Sequence, residues 1–290
     1  MILVTGATGH LGKEVVNGLL KKINPAEIAV LIRQEAQADH FRELGVNVRF
    51  GDYDHIDNLV TAFTGVDKLY FVSSSDLYHR IAQHTNVVNA ATKAGVKHIV
   101  YTSFQRVNET ASSPIARLAE AHLVAEKLIK ESGMTYTILK HGLYFETIPT
   151  FIGDNILETK TIFTPAGQGR TAYALRAEQA EAGVTILLGT GHENKEYELT
   201  GVETSSFSDV ADAISAATNT AVAYYSPSLE EFTQALTQAN VPDIYIGLSA
   251  GFSSAIKEGE FSKTSRDLEQ LLGRKPSTLN EFITSHYSSN

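Results

Sequence analysis

Residues 2–16 read ILVTGATGHLGKEVV, and this stretch decides the fold. The apolar run ending at Val4 is a strand, and Leu11, Val15 and Leu19 recur at helical spacing after it. Between them Gly6, Gly9 and Gly12 form a G-x-x-G-x-x-G loop. Gly6 permits the tight turn, Gly9 lets backbone amides approach a pyrophosphate, and Gly12 lets the helix start sit close to the sheet. The helix N-terminus offers unsatisfied N–H groups to phosphates, so Gly6, Thr8, Gly9, His10, Leu11 and Gly12 are assigned to dinucleotide binding.

The same rhythm continues outward. Ala29–Arg33, Val46–Phe50, Lys68–Val72, His98–Thr102 and Tyr136–Leu139 are short apolar runs, and helical patterns occupy His79–Ala94 and Ala116–Glu131. Continuous apolar strands alternating with helices imply a parallel sheet covered on both faces. The expected fold class is α/β, a doubly wound NAD(P)-binding sheet of the Rossmann type over residues 1–145. Residues 146–290 are expected to form a smaller, mainly helical substrate region with some segments returning to the sheet. It contains a helix at Ala177–Leu188, a strand at Glu196–Leu199, and helix starts at Thr204–Ser208 and Ser226–Ser228.

The end of the second strand selects the dinucleotide. An NAD site would place Asp or Glu there for the ribose 2′-hydroxyl, whereas this chain has Arg33, with Glu27 before the strand and Glu35 after it. A guanidinium suits a 2′-phosphate, so NADPH is favoured over NADH. Asp52 and Tyr53 stand after the third strand, where adenine would lie. Ser73, Ser74 and Ser75 follow the fourth strand and would border the ribose and pyrophosphate.

At this point the chain resembles a family. ILVTGATGHLGKEVV, VLIRQ, GDYD, AGVKHIVYTS, ILKHGLYFE, GHENKEYELTG and SKTSRDLEQLLG together are similar to the NmrA-like atypical short-chain dehydrogenases. Within that group they look most like the bacterial NADPH quinone oxidoreductases of type 2 and the triphenylmethane reductases. The wider superfamily carries a Tyr and a Lys four residues apart on its fifth helix. Here His122 and Glu126 hold that spacing, either as a general-acid pair or as a structural pair. Tyr101, Thr102 and Ser103 would end near the nicotinamide, and Lys140 would reach the ribose or carboxamide. The resemblance places Phe104, His141, Tyr144 and Phe145 in the substrate pocket, with Tyr144 and Phe145 stacking on a flat ring. His122, Tyr144 and Lys140 are the catalytic candidates.

Composition narrows the function classes. The 290 residues carry net charge −9 and no cysteine, so disulfides, thiolate nucleophiles and Cys-ligated metals are excluded. Residues 1–145 are nearly neutral, at +1, and residues 146–290 carry −10. No broad basic face exists, which disfavours nucleic acid. No apolar run spans a bilayer and no leader precedes the first strand, so a cytoplasmic protein is expected. The ten histidines show no metal spacing and no G-x-S-x-G occurs, so neither metal, flavin nor a hydrolase site is expected. The function expected is direct hydride transfer from NADPH to a quinone or similar electron-poor acceptor, by a monomer or homodimer. Two alternatives stand beside it: a non-catalytic NAD(P)-binding redox sensor, and a triphenylmethane dye or azo reductase.

Overall fold

The computed structural model describes residues 1–287. Among them, nine strands run β1 Ile2–Val4, β2 Ile28–Ile32, β3 Asn47–Phe50, β4 Lys68–Phe71, β5 His98–Phe104, β6 Thr135–His141, β7 Thr161–Phe163, β8 Lys195–Leu199 and β9 Ala223–Tyr225. Helices α1 His10–Leu20, α2 Ala38–Glu43, α3 Ile56–Phe63, α4 Arg80–Ala94 and α5 Ala116–Glu131 belong to the first half. Helices α6 Ile148–Ile152, α7 Ile156–Thr159, α8 Arg176–Leu188, α9 Phe207–Thr218, α10 Leu229–Gln238, α11 Asp243–Lys257, α12 Asp267–Leu272 and α13 Leu279–Tyr287 follow.

Seven strands form one sheet in the order β3-β2-β1-β4-β5-β6-β8. Every neighbouring pair is parallel. The chain winds from β1 outward to β3, then crosses back to β4, so a crevice opens at the carboxyl ends of β1 and β4. Successive strand residues serve opposite faces. Val4, Val30, Ile32 and Leu139 pack with α1 and α8. Leu3, Ala29, Leu31 and Ile138 pack with α3, α4 and α5. All five residues of β2 are buried. Each such aliphatic side chain contributes roughly 1.5–3 kcal/mol on burial, enough to fix β2 inside the sheet.

The second half divides between the main sheet and a third core. β8 is the seventh strand of the main sheet, in register with β6 from Thr137↔Lys195 to His141↔Leu199. α8 returns to the α1 face so closely that a Cβ on Gly18 would lie 2.9 Å from Val184 Cγ2. The boundary after residue 145 therefore does not follow the sheet, because Ala180, Ala182 and Val184 of α8 give α1 its apolar partner. The other segments gather around a third core containing Ile148, Ile156, Ile162, Phe207, Ile214 and Phe261. A second, two-stranded parallel sheet of β7 and β9 lies there. Its three-residue strands are too short to alternate visibly in sequence. Ser206 with Asp209, and Ser228 with Glu231, form the capping boxes that start α9 and α10.

Candidate functional site

The glycine loop closes with Gly9 N–H donating to Gly6 O at 2.9 Å. Gly6 has φ +60°, and a Cβ on Gly12 would lie 2.3 Å from Gly6 O. Both positions therefore admit only glycine without movement. No side chain caps the first turn of α1, and no acidic residue stands in it. Its amides and positive dipole end are left for an anion. His10 is exposed beside the loop. Leu11 is 8% exposed and packs into the core, so only its backbone can serve a ligand.

A cavity of about 350 Å³ lies against this loop, lined by Gly6, Thr8, Ile32, Arg33, Gly51, Asp52, Tyr53, Ser73, Ser74, Ser75 and Gln83. Four carboxyl ends of the sheet, those of β1 to β4, thus converge on one space. Arg33 is exposed, and among the described residues it has no hydrogen-bond or ion-pair partner. Glu35 is engaged by Arg42 at 2.6 Å. Asp52 Oδ1 accepts from the amides of Asp54 and His55 and lies 2.7 Å from His55 Nδ1. Partial burial raises its pKa, but the hydrogen bonds from His55 and the backbone outweigh this and leave it lowered. The Tyr53 hydroxyl lies 2.8 Å from Val72 O and 2.5 Å from Thr5 Oγ1, which anchors its ring at the cavity wall.

Several expected roles change. Ser74 is engaged by its own loop and by α4: its hydroxyl donates to Gln83 and accepts from Asp76 N, and its carbonyl accepts from Arg80. Thr102 is 3% exposed, and its Oγ1 accepts from Ser73 N at 2.9 Å, tying β5 to the end of β4. Ser103 lies on the other face and donates to Glu126. Lys140 does not approach the loop cluster. Its Nζ lies 3.0 Å from Glu196 on β8, whose other oxygen takes Lys130. Thr102, Ser103 and Lys140 thus each have a partner within the protein.

His122 and Glu126 do not pair with each other. Glu126 makes a bidentate ion pair with Arg106, at 3.0 and 2.8 Å. His122 Nδ1 instead lies 2.7 Å from the Tyr101 hydroxyl. Phe145 is 4% exposed, stacks on Tyr173 and Phe282 in the third core, and with Tyr173 lines a separate cavity of about 430 Å³ beside Gly201 and Thr204. Tyr144 is half-buried, with the Arg176 guanidinium 4.6 Å above its ring and its hydroxyl 3.4 Å from His141 Nδ1. Phe104 remains half-buried against His122, with ring centroids 4.8 Å apart. Arg106 and His84 were missed by sequence reasoning. His84 carried a signal, because it precedes Val87, Val88 and Ala91 at the spacing of a buried helix face.

A further cavity, about 490 Å³, lies elsewhere, between the starts of α4, α5 and α11. Among the described residues no group of three or more His, Asp or Glu could hold a metal ion, and no helix is long and apolar enough to cross a membrane.

Burial pushes His84 and His141 each down to about 4, Arg80 adding to the effect on His84. The unfolded chain takes up these protons near pH 6.5 and the folded chain only near 4, so stability falls as pH drops through that window. Denaturant unfolding at pH 7 and pH 5 should differ by about 2 kcal/mol for each histidine. A flat profile between those values would show that neither ring is held neutral.

A model of the NmrA-like family matches residues 1–283. Quinone oxidoreductase 2 of Escherichia coli is 34% identical over 290 residues, which is all of both chains. The solved structure of an Escherichia coli NADPH-dependent quinone oxidoreductase complexed with NADPH aligns at TM-score 0.90 and 33% identity, covering 99% of this chain and 100% of that one. Triphenylmethane reductase of Citrobacter sp., complexed with NADP(H), aligns at TM-score 0.90 and 37% identity over 99% of each chain. On the family match and on identity along its whole length, this chain belongs to the NmrA-like family.

Proposed function

We propose that this NAD(P)H-dependent oxidoreductase takes NADPH and passes its hydride directly to a quinone or another electron-poor conjugated acceptor, the triphenylmethane dyes included. The observation that carries the reading is Arg33, a free guanidinium lining the same cavity as the uncapped glycine loop. The residues fit the cofactor. The amides of Gly6–Gly12 would hold the pyrophosphate, Arg33 the 2′-phosphate, and Asp52 and Tyr53 the adenine, with Ser73 and Ser75 along the ribose edge. A reduced nicotinamide bound there supplies the hydride. The protein's part is to orient and to exclude water, and Phe104 and Tyr144 are the apolar surfaces left to flank an acceptor at the ends of β5 and β6. Relatives that reduce quinones and dyes with NADPH support the same chemistry here.

Arg33→Ala should weaken NADPH binding by about 10–100-fold, the worth of hydrogen bonds to a charged group, and leave NADH binding within twofold. Calorimetric titration of both nucleotides checks this, and equal losses would defeat the assignment. For the reaction, NADPH absorbance should fall steadily after a small quinone is added. Tight binding without turnover across quinones and dyes would overturn the reductase reading.

A further inference from the structure

Three rings meet under the carboxyl end of β5: His84 from α4, Tyr101 from β5 and His122 from α5. Their proton arrangement follows from one fixed point. The backbone N–H of Ser74 donates to His84 Nε2 at 3.0 Å. An amide only donates, so Nε2 is bare and the His84 proton sits on Nδ1. That N–H faces the Tyr101 hydroxyl and the Ala121 carbonyl, each 3.3 Å away. Tyr101 therefore cannot donate to His84. Its proton has one acceptor left within reach, His122 Nδ1 at 2.7 Å. His122 Nδ1 is bare in turn, and its own proton sits on Nε2.

That Nε2–H has no partner among the described residues, although His122 is only 3% exposed. The ring lies against Phe104 and within the field of His141, at the carboxyl ends of β5 and β6, where ligands of open α/β sheets bind. Burial first, then Arg80, His84, Arg106 and His141, hold the His122 pKa well below its ordinary value. Glu126, one turn along α5 from His122, is neutralised by Arg106. The imidazole is thus a neutral donor.

We propose that His122, locked as the Nε2–H tautomer by Tyr101, donates a hydrogen bond to the acceptor's carbonyl oxygen, with Tyr101 and His84 as positioning residues. The inference rests on the reductase reading. Hydride brings two electrons to the quinone, the carbonyl oxygen becomes an anion, and the Nε2–H bond stabilises that charge. The proton that completes the hydroquinone comes from solvent. The chain of rings ends on a backbone amide and has no proton to relay. Its far end, Ser74, borders the proposed dinucleotide cavity, so the loop that meets the cofactor also sets the donor.

Nitrogen-15 NMR of the histidine rings in the full chain should show His122 bare at Nδ1 and protonated at Nε2 at pH 7. Added menadione should shift the Nε2 resonance. Tyr101→Phe should release the tautomer, lower kcat for menadione about tenfold and leave KM within twofold. His122→Phe should lower kcat about 100-fold. His122→Gln, whose amide can place a donor near Nε2, should recover most of that loss. Protonation at Nδ1, or an unchanged kcat in both Tyr101→Phe and His122→Phe, would overturn the proposal. If the parent chain turns over no acceptor, the reductase reading fails by itself, and the tautomer and menadione-induced shift still decide the donor. If Tyr101→Phe does not fold, the His122 pair of variants gives the same decision.

Discussion

Gly12→Val is expected to lower NADPH affinity by at least 100-fold, the scale of loss that about 1 Å of misplacement brings in a preorganised site. The added Cβ would lie 2.3 Å from Gly6 O, 2.6 Å from Gly6 C and 2.9 Å from Ala7 N. All three are backbone atoms, so no side chain can rotate away to make room. Either α1 lifts or the loop moves. α1 is pinned, because Val15, Val16 and Leu19 are at most 1% exposed and Gly18 rests on Val184. The loop must therefore give way, and with it the amides aimed at the phosphates. Overpacking of this kind costs about 1–3 kcal/mol or more, and the melting temperature should fall by several degrees. Gly9→Ala is the control for stability, since its Cβ would lie 3.3 Å from Gly6 O, a contact that a small shift relieves. Calorimetry with NADPH and a thermal melt read both effects. Affinity within threefold of the parent in Gly12→Val would refute the role given to this loop.

The glycine loop and the sheet were legible because their signals are local. Strands buried on both faces read as apolar runs: β1 and β2 are apolar throughout, and β4, β5 and β6 carry the apolar stretches Leu69–Phe71, Ile99–Tyr101 and Ile138–Leu139. β8 was visible as a strand but not as a seventh sheet member. Its Glu196 and Glu198 mark it as half-exposed, and nothing local tells which strand it joins. Arg33 was readable because it follows β2 directly, at the carboxyl edge of the sheet where ligands of open α/β folds bind. Strand parity decides what Ser103 and Lys140 meet. Ser103 shares a strand face with Ile99 and Tyr101, so it meets α5 and Glu126 rather than the crevice. Lys140 shares a face with Ile138 and meets Glu196. The alternation was available in the sequence, but the carboxylates that capture these side chains lie 23 and 56 positions away. Only tertiary structure brings them together.

Glu126→Ala should be the most destabilising single change near the site, at about 3–5 kcal/mol, because it strands the Arg106 charge without its buried partner. The Arg106 side chain is 1% exposed and that of Glu126 7%. The pair is bidentate, Ser103 donates to the same carboxylate, and Arg106 also donates to the Phe104 carbonyl at 3.0 Å. Its remaining anion, Glu109, is half-exposed and screened by water, so it offers weak compensation. At about 2–4 °C per kcal/mol for a chain of this size, the melting temperature should fall by roughly 6–20 °C. Removing both charges in Arg106→Leu/Glu126→Leu should cost less than the two single changes added together, since apolar replacement removes the stranded charge as well as the bond. The network clamps the end of β5 to α5, and that end carries Phe104 beside His122. Loss of the proposed quinone turnover should therefore accompany the loss of stability in Glu126→Ala. Single changes that each cost under about 1 kcal/mol, the range of an exposed pair, would show that the pair is hydrated in solution and that β5 is held by packing alone.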